Sequence, residues 1–120
     1  PLYTPLSPNP LNFTGQTYVL IDGGCLSTTG HLISLLKYHD LAIIIGQEPG
    51  SSYTCNDKSV QFTMPNTGIG LNIPTTVFQT AVDGYSNETS MLDIEIQPDL
   101  TDVLNEKDPQ MEKANQLIRQ

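Results

Sequence analysis

The chain has 120 residues, enough for one domain with a modest core, and its hydrophobic fraction of 38% is below the globular average. Its 13 acidic residues outnumber its five basic ones and give a net charge of −8. Because phosphate binding needs clustered lysine and arginine, this balance argues against nucleic acid and anionic membranes as partners. No apolar run approaches the length of a membrane span, so we expect no membrane insertion by this segment.

Residues 1–16 are rich in proline, which disfavours regular helix and central strands. We expect them to form an extended arm that leads into one domain over residues 17–120. The chain begins at Pro1 without a methionine or a signal-like run. This start predicts a processed, truncated or excised piece of a larger protein.

Residues 17–46 predict a strand, a glycine turn, a helix and a second strand. The first apolar run is short and contains β-branched residues, which is typical of a buried strand, and Gly23 and Gly24 permit a sharp turn after it. From Ser27 onward leucines recur at helical spacing, and a second apolar run ends at Gly46. A strand, a helix and a strand of this length form a crossover unit of a parallel or mixed sheet.

The rest of the chain predicts short strands separated by loops, followed by a helix. The strands cover residues 60–64, 69–73, 77–82 and 94–96, and a turn-rich loop covers residues 47–57. Asp108 followed by Pro109 marks the start of the helix, because aspartate caps the first N–H groups and proline fits the first helical position.

Ser27 stands where the first predicted strand passes into the helix. A hydroxyl there lies beside unpaired N–H groups and the positive end of the helix dipole, which would stabilise negative charge on a nearby oxygen. This suits an acyl-transfer nucleophile, whereas on the local pattern alone a simple helix cap is the commoner role. The Gly-x-Ser-x-Gly elbow of the α/β-hydrolases is absent, because Cys25 and Thr29 replace its glycines.

The stretch VLIDGGCLSTTGHL, residues 19–32, joins a strand end and a turn to a Ser/Thr-rich segment ahead of a helix. It resembles the nucleophile region of the tail-specific, or C-terminal processing, serine peptidases, a family that includes the tricorn protease core and the retinoid-binding repeats. The resemblance continues through residues 42–53, 64–69, 72–74 and 98–108, so it extends over nearly the whole chain. It implies that Ser27 is the nucleophile, and we expect the backbone N–H of Thr28 to donate one oxyanion hydrogen bond.

The resemblance implies an α/β crotonase-like fold with a mixed sheet and flanking helices, present here as its C-terminal part. The implied activity is that of a serine endopeptidase acting on peptides or unfolded protein tails, outside the cytoplasm and without cofactor or metal. The general base and the second oxyanion donor would come from the upstream half of the same domain, so the fragment alone should hydrolyse nothing. The alternatives are a non-catalytic ligand- or peptide-binding domain of the same fold and a purely structural piece.

The chain departs from the family pattern at the supporting residues. Lysine-dependent relatives carry their base at the position of Ser52, and serine cannot take that role; Lys58 is a displaced candidate or a solvated surface residue. In the tricorn-like branch a supporting glutamate falls at Ser86. Glu88, two residues away, is a candidate substitute, and Asp93 retains the acid of the family motif.

Three further residues near Ser27 have competing interpretations. Cys25 is interpreted as a small structural residue rather than a nucleophile, and a disulfide with Cys55 is the alternative to two free thiols. Neither cysteine lies in a metal-binding spacing, so no metal is expected. His31 lies one helical turn beyond Ser27, where we expect packing or exposure rather than a role as base.

Overall fold

The structure is a computed structural model that describes residues 7–85 and 90–120, and these residues form a small α/β domain with two sheets and three helices. The elements in chain order are β1 (Tyr18–Ile21), α1 (Thr28–Tyr38), β2 (Ile43–Gly46), β3 (Thr54–Thr63), β4 (Gly70–Gln79), β5 (Ile94–Glu95), α2 (Leu100–Leu104) and α3 (Pro109–Ile118). The predicted α/β class is therefore confirmed. The predicted arm is described only from Ser7 onward, where it is exposed and contains neither helix nor strand.

The first sheet is parallel and has the order β1-β2-β5. Tyr18 lies opposite Ile43 and Ile21 opposite Gly46, while Ile45 lies opposite Ile94. Helix α1 connects β1 to β2, which confirms the crossover unit predicted from the alternation of apolar runs and helical spacing. The ends of β1 and β2 and the start of α1 therefore meet at one edge of this sheet.

The core lies between this sheet, α1 and the loops that follow the strands. Six side chains form its centre, and each has less than a tenth of its surface exposed. They are Ile21, Ile33, Ile44, Tyr53, Val82 and Met91. Because strands and loops distant in sequence share this cluster, its packing fixes the junction between β1 and α1.

Gly46 ends β2 in a backbone conformation that would direct a Cβ atom at the backbone of β1. Its φ angle is +137°, and a Cβ atom there would lie 2.0 Å from the carbonyl oxygen of Ile21. That carbonyl accepts a hydrogen bond of 3.0 Å from the N–H of Gln47. Only glycine fits this position. Residues with a side chain rarely adopt this φ, and their Cβ atom would collide with the backbone of Ile21.

The two C-terminal helices begin at aspartate caps. The Asp108 carboxylate accepts from the N–H of Met111 at 2.9 Å, and this confirms the helix predicted from Asp108 and Pro109. Helix α2 was not predicted. It begins with a capping box, in which the N–H of Asp102 donates to the Asp99 carboxylate at 2.7 Å and the reverse bond is 3.1 Å.

The second sheet is an antiparallel ribbon of β3 and β4 and differs from the prediction. Strand β3 begins at Thr54, within the segment predicted as a loop, and β4 runs unbroken through Pro74 instead of forming two strands. Pro74, opposite Ser59, is tolerated because each strand of a two-stranded sheet keeps one edge free of ladder hydrogen bonds. The ribbon is thus longer and more continuous than its sequence indicates.

One face of the ribbon is apolar and uncovered in the described part of the chain. Val60 lies opposite Ile73 and Phe62 opposite Leu71, and all four side chains are between 41% and 54% exposed. We call these four residues, with Met64 and Ile69 beyond them, the apolar ribbon face. The radius of gyration is 18.7 Å, against about 14 Å for a compact chain of this length, which fits a chain whose ribbon and N-terminal arm are largely exposed.

Helix α1 has 11 residues, and no helix in the described ranges combines the length and apolar character needed to cross a membrane.

Candidate functional site

Ser27 occupies the junction between β1 and α1 in a strained backbone conformation. It is the N-cap of α1, with φ 54° and ψ −121°, and its side chain makes no capping hydrogen bond. An N-cap residue normally has extended backbone angles and accepts from an N–H of the first turn, which stabilises the helix by about 1 kcal/mol. Ser27 lacks both properties, so its hydroxyl is not used as a cap.

The turn before Ser27 is held by short contacts from both sides. The Asp22 carboxylate accepts from the N–H of Gly24 at 2.9 Å, and the carbonyl of Cys25 accepts from the N–H of Ser51 at 3.2 Å. A Cβ atom on Gly50 would lie 2.6 Å from the Gly23 carbonyl oxygen, so the loop after β2 lies directly against the turn. These contacts offset the strain at Ser27, which for such a conformation is about 1–3 kcal/mol.

The N–H of Thr28 is the donor nearest in sequence to the Ser27 hydroxyl. Thr28 is the first residue of α1, so its N–H has no partner within the helix, and none of the hydrogen bonds among the described residues uses it. The N–H of Thr29, by contrast, donates to the carbonyl of Leu26 at 3.1 Å. A free backbone donor at the positive end of a helix dipole is suited to an anionic oxygen.

Ser27 is exposed on the wall of a cleft of about 830 Å³ formed between the start of α1 and the loop after β2. This volume is in the range of pockets that hold small molecules or short peptide segments. The lining is mostly small and polar: Leu26, Ser27, Glu48, Pro49, Gly50, Ser51, Ser52, Thr54, Cys55, Asn56 and Ser90. The predicted nucleophile thus lies in a groove and not in a strand or beneath other side chains.

Among the described residues that line this cleft, Glu48 is the one with a charged side chain, and it was not singled out from the sequence. Its carboxylate accepts from the hydroxyl of Ser90 and from the N–H of Met91, the latter at 3.3 Å. These bonds tie the loop after β2 to the segment before β5. Glu48 therefore closes one end of the cleft and keeps its wall in place.

His31 shares a smaller cavity of about 250 Å³ with Ser27 and Thr28, but its imidazole is committed elsewhere. Its Nδ1 contacts the hydroxyl of Thr80, and its Nε2 lies 3.1 Å from the Cys55 sulfur. With both ring nitrogens engaged, His31 is not placed as a base for Ser27. Its partners lie 24 and 49 residues away along the chain, so no local pattern could indicate them.

The other sequence candidates are not gathered around Ser27. Lys58 lies exposed on β3 and lines neither cavity. The carboxylate of Asp93 pairs with Lys37, in the last turn of α1, and accepts from the N–H of Ile44 at 2.8 Å, so it packs at the helix end opposite Ser27. Ser86 and Glu88 lie outside the described residues.

Cys25 and Cys55 are both free thiols in the structure, so the disulfide alternative is not realised. The Cys25 sulfur lies 3.9 Å from an Asp22 carboxylate oxygen. No group of three or more His, Cys, Asp and Glu side chains within residues 7–85 and 90–120 is placed to hold a metal ion.

Tyr53, in the core, has no exposed surface, and its hydroxyl has no hydrogen-bond partner among the described residues. Burial raises the pKa of Tyr53 to about 12, and the neighbouring Tyr85 and Glu48 add to the effect. Its ring packs against Tyr85 with the ring centroids 5.0 Å apart. The hydroxyl of Tyr53 therefore lies unpaired in the hydrophobic core.

Replacing Tyr53 with phenylalanine should make the fold less sensitive to alkali. Because the folded pKa lies above the unfolded value of 10.0, the parent keeps this contribution to stability below pH 10 and loses it as the pH rises through 12. At pH 7 the variant should be as stable as the parent or up to about 1 kcal/mol more stable, since it removes an unpaired buried hydroxyl.

The measurement for Tyr53→Phe is urea unfolding at pH 8 and at pH 11. Tyr38→Phe, which changes a partly exposed tyrosine, is the matched control and should lose as much stability as the parent between these pH values. Equal alkaline losses in Tyr53→Phe and the parent would contradict the prediction.

Comparisons of the chain with models of protein families, with curated proteins and with solved structures return no match. Functional inference therefore depends on the geometry at Ser27 and on the resemblance in the sequence.

Proposed function

We propose that the chain is the nucleophile-bearing part of a serine endopeptidase of the tail-specific, C-terminal processing class, with a crotonase-like fold completed by an upstream half. The observation that carries the proposal is the state of Ser27. It is exposed in a cleft, strained in its backbone and free of capping bonds, and it lies beside the unpaired N–H of Thr28. Strain of this kind that the surrounding structure maintains is typical of functional positions.

In the proposed reaction the Ser27 hydroxyl attacks the carbonyl carbon of a peptide bond. The carbonyl oxygen becomes an oxyanion, to which the N–H of Thr28 and the dipole of α1 offer stabilisation; one such donor is worth about 3–4 kcal/mol of transition-state energy. The general base takes the Ser27 proton and passes it to the leaving amine as the C–N bond breaks, and water then hydrolyses the acyl-enzyme on Ser27. The cleft of about 830 Å³ has room for an extended segment of the substrate.

The general base comes from the upstream half in this proposal. His31 is the only imidazole in the cavities next to Ser27 within the described ranges, and both of its nitrogens are engaged by other groups. The same half would add the second oxyanion donor. The substrates are peptides or unfolded protein tails, and the location is outside the cytoplasm, in the periplasm, the cell envelope or the secreted fraction.

The proposal is tested by labelling the protein, at its full natural length, with a fluorophosphonate. The activated serine displaces fluoride from phosphorus, so we expect one adduct, which peptide mass spectrometry should locate at Ser27. Ser27→Ala should abolish labelling. Ser52→Ala removes another hydroxyl from the same cleft and should retain labelling within about twofold, since only the serine beside the oxyanion donor is activated.

Absence of an adduct in the parent, or an adduct that persists in Ser27→Ala, would overturn the peptidase proposal. The alternative is then a non-catalytic ligand- or peptide-binding domain of the same fold. The engagement of both His31 nitrogens favours it, because a binding cleft needs no base. In that case peptide binding should survive in Ser27→Ala.

A further inference from the structure

A thiol, an imidazole and two hydroxyls form a connected row that begins on the wall of the smaller cavity, at the thiol and the imidazole, and continues into the protein interior. Cys55 lies on β3, His31 on α1 and Thr80 directly after β4, so the ribbon and the helix bring them together. The Cys55 sulfur is 3.1 Å from Nε2 of His31, Nδ1 contacts the Thr80 hydroxyl, and that hydroxyl is 3.0 Å from the hydroxyl of Ser34.

The row determines which nitrogen of His31 carries the proton. The Ser34 hydroxyl donates to the carbonyl of His31 at 2.8 Å, so it must accept in its contact with Thr80. Thr80 has a single hydroxyl proton, which it donates to Ser34, and its oxygen therefore accepts from Nδ1–H of His31. The neutral imidazole then has its lone pair on Nε2, directed at the thiol of Cys55.

The inner end of the row is buried and holds the ring in place. Ser34 has no exposed surface and Thr80 is 8% exposed. The His31 ring also makes an edge contact with Phe78, with the ring centroids 6.4 Å apart. Cys55, at the outer end, is partly exposed and lines both cavities, so a small molecule in the cleft can reach its sulfur.

We propose that Cys55 is a nucleophilic thiol for which His31 is the base and Thr80 the positioning residue, and that the cleft is a modification site for small neutral electrophiles. A thiol within reach of an oriented imidazole forms the reactive thiolate more readily than an isolated one. The proposal does not depend on the role of Ser27, because the row uses neither its hydroxyl nor the N–H of Thr28.

The covalent step is a simple displacement. With iodoacetamide, the Cys55 proton passes to Nε2 of His31, the sulfur forms a bond to the methylene carbon, and the carbon–iodine bond breaks to release iodide. The imidazolium then returns its proton to solvent. No oxidant or further reactant is needed, and the adduct remains on the wall that Cys55 shares between the two cavities.

Cys25 provides an internal control in the same chain. It is also partly exposed, but its sulfur faces an Asp22 carboxylate oxygen at 3.9 Å instead of an imidazole. A carboxylate is a weaker base than an imidazole, so it takes up a thiol proton less readily. Trypsin cleaves after Lys37 and Lys58, so the two cysteines fall in different peptides and their adducts can be measured separately.

The test is a time course of iodoacetamide labelling of the full chain at pH 7, read by peptide mass spectrometry. In the folded chain we expect Cys55 to react at least about tenfold faster than Cys25, and in 8 M urea we expect the two rates to become equal within about twofold. His31→Gln should lower the Cys55 rate about tenfold without changing the Cys25 rate. His39→Gln, which changes an exposed histidine at the end of α1, should change neither rate.

Equal rates for the two cysteines in the folded parent would overturn the proposal, and this comparison needs no variant to fold. A Cys55 rate that is unchanged in a folded His31→Gln variant would overturn it as well. Thr80→Val gives a further check on the positioning role, since it should slow Cys55 while Cys25 keeps its rate.

Discussion

Alanine at position 46 is expected to abolish the folded parallel sheet, with a loss of unfolding free energy of at least about 4 kcal/mol. The added Cβ would lie 2.0 Å from the Ile21 carbonyl oxygen, and Gly46 has a φ of +137°. The nearest obstacle is backbone, so β1 and β2 would have to separate at the edge that carries the Ser27 turn. The measurement is urea unfolding monitored by tyrosine fluorescence, which reports on this sheet because Tyr18 lies in β1 and Tyr53 packs in the core with Ile21 and Ile44.

Gly68→Ala is the matched control for Gly46→Ala. Gly68 also has a positive φ, +71°, but a Cβ there would meet nothing within 4 Å. Its replacement should leave the unfolding of the sheet, as followed by tyrosine fluorescence, within about 1 kcal/mol of the parent, because only the backbone conformation of the ribbon turn is affected. If the unfolding free energy of Gly46→Ala lies within about 1 kcal/mol of the parent value, the expected clash between the added Cβ and the Ile21 carbonyl is contradicted.

Ile44→Ala should destabilise the chain by about 2–5 kcal/mol, whereas Ile73→Ala should cost less than about 1 kcal/mol. Both positions are isoleucines in strands, and the substitution removes the same atoms. Ile44 has no exposed surface and packs in the core, while Ile73 lies on the apolar ribbon face with 47% of its surface exposed. Burial is therefore the main difference, because only the core site leaves a cavity surrounded by other side chains.

Urea unfolding of both isoleucine variants, followed by tyrosine fluorescence for the sheet and by far-ultraviolet circular dichroism for the whole chain, checks this contrast. Equal losses for the two variants would mean that the apolar ribbon face is covered in solution and that the exposure of Ile73 is wrong. A small loss for Ile44→Ala would mean that the core does not centre on β2.

The elements predicted correctly are those with strong local signals. The apolar runs gave β1 and β2, leucine spacing gave α1, and the pair Asp108 and Pro109 gave the start of α3. Each signal depends on contacts within a few residues. The crotonase-like fold implied by the resemblance stays a prediction, since the described residues establish only the coarser α/β class.

The elements that the sequence did not reveal depend on more distant contacts or on weak patterns. The first half of β3, TCNDKS, is polar and lacks alternation, so its pairing with β4 is what makes it a strand. Helix α2 has only five residues, and its sequence signal is limited to the capping box of Asp99 and Asp102.

At the candidate site, the position of Ser27 at a strand-to-helix junction was predicted correctly from the sequence. Its backbone angles could not be predicted. These depend on the loop around Gly50 and Ser51, which lies against the turn. The row of Cys55, His31 and Thr80 joins three segments far apart in the chain, which no spacing rule could connect.

The ribbon of β3 and β4 also bears on how the chain denatures. It is joined to the rest at its base, where the N–H of Thr80 donates to the carbonyl of Tyr53 at 2.7 Å and His31 meets Cys55, and its strands are exposed along most of their length. Two-stranded ribbons are only marginally stable by themselves in water. Its outer backbone amides will exchange with solvent long before those of the parallel sheet, so local opening of the ribbon precedes the cooperative unfolding of the sheet and core.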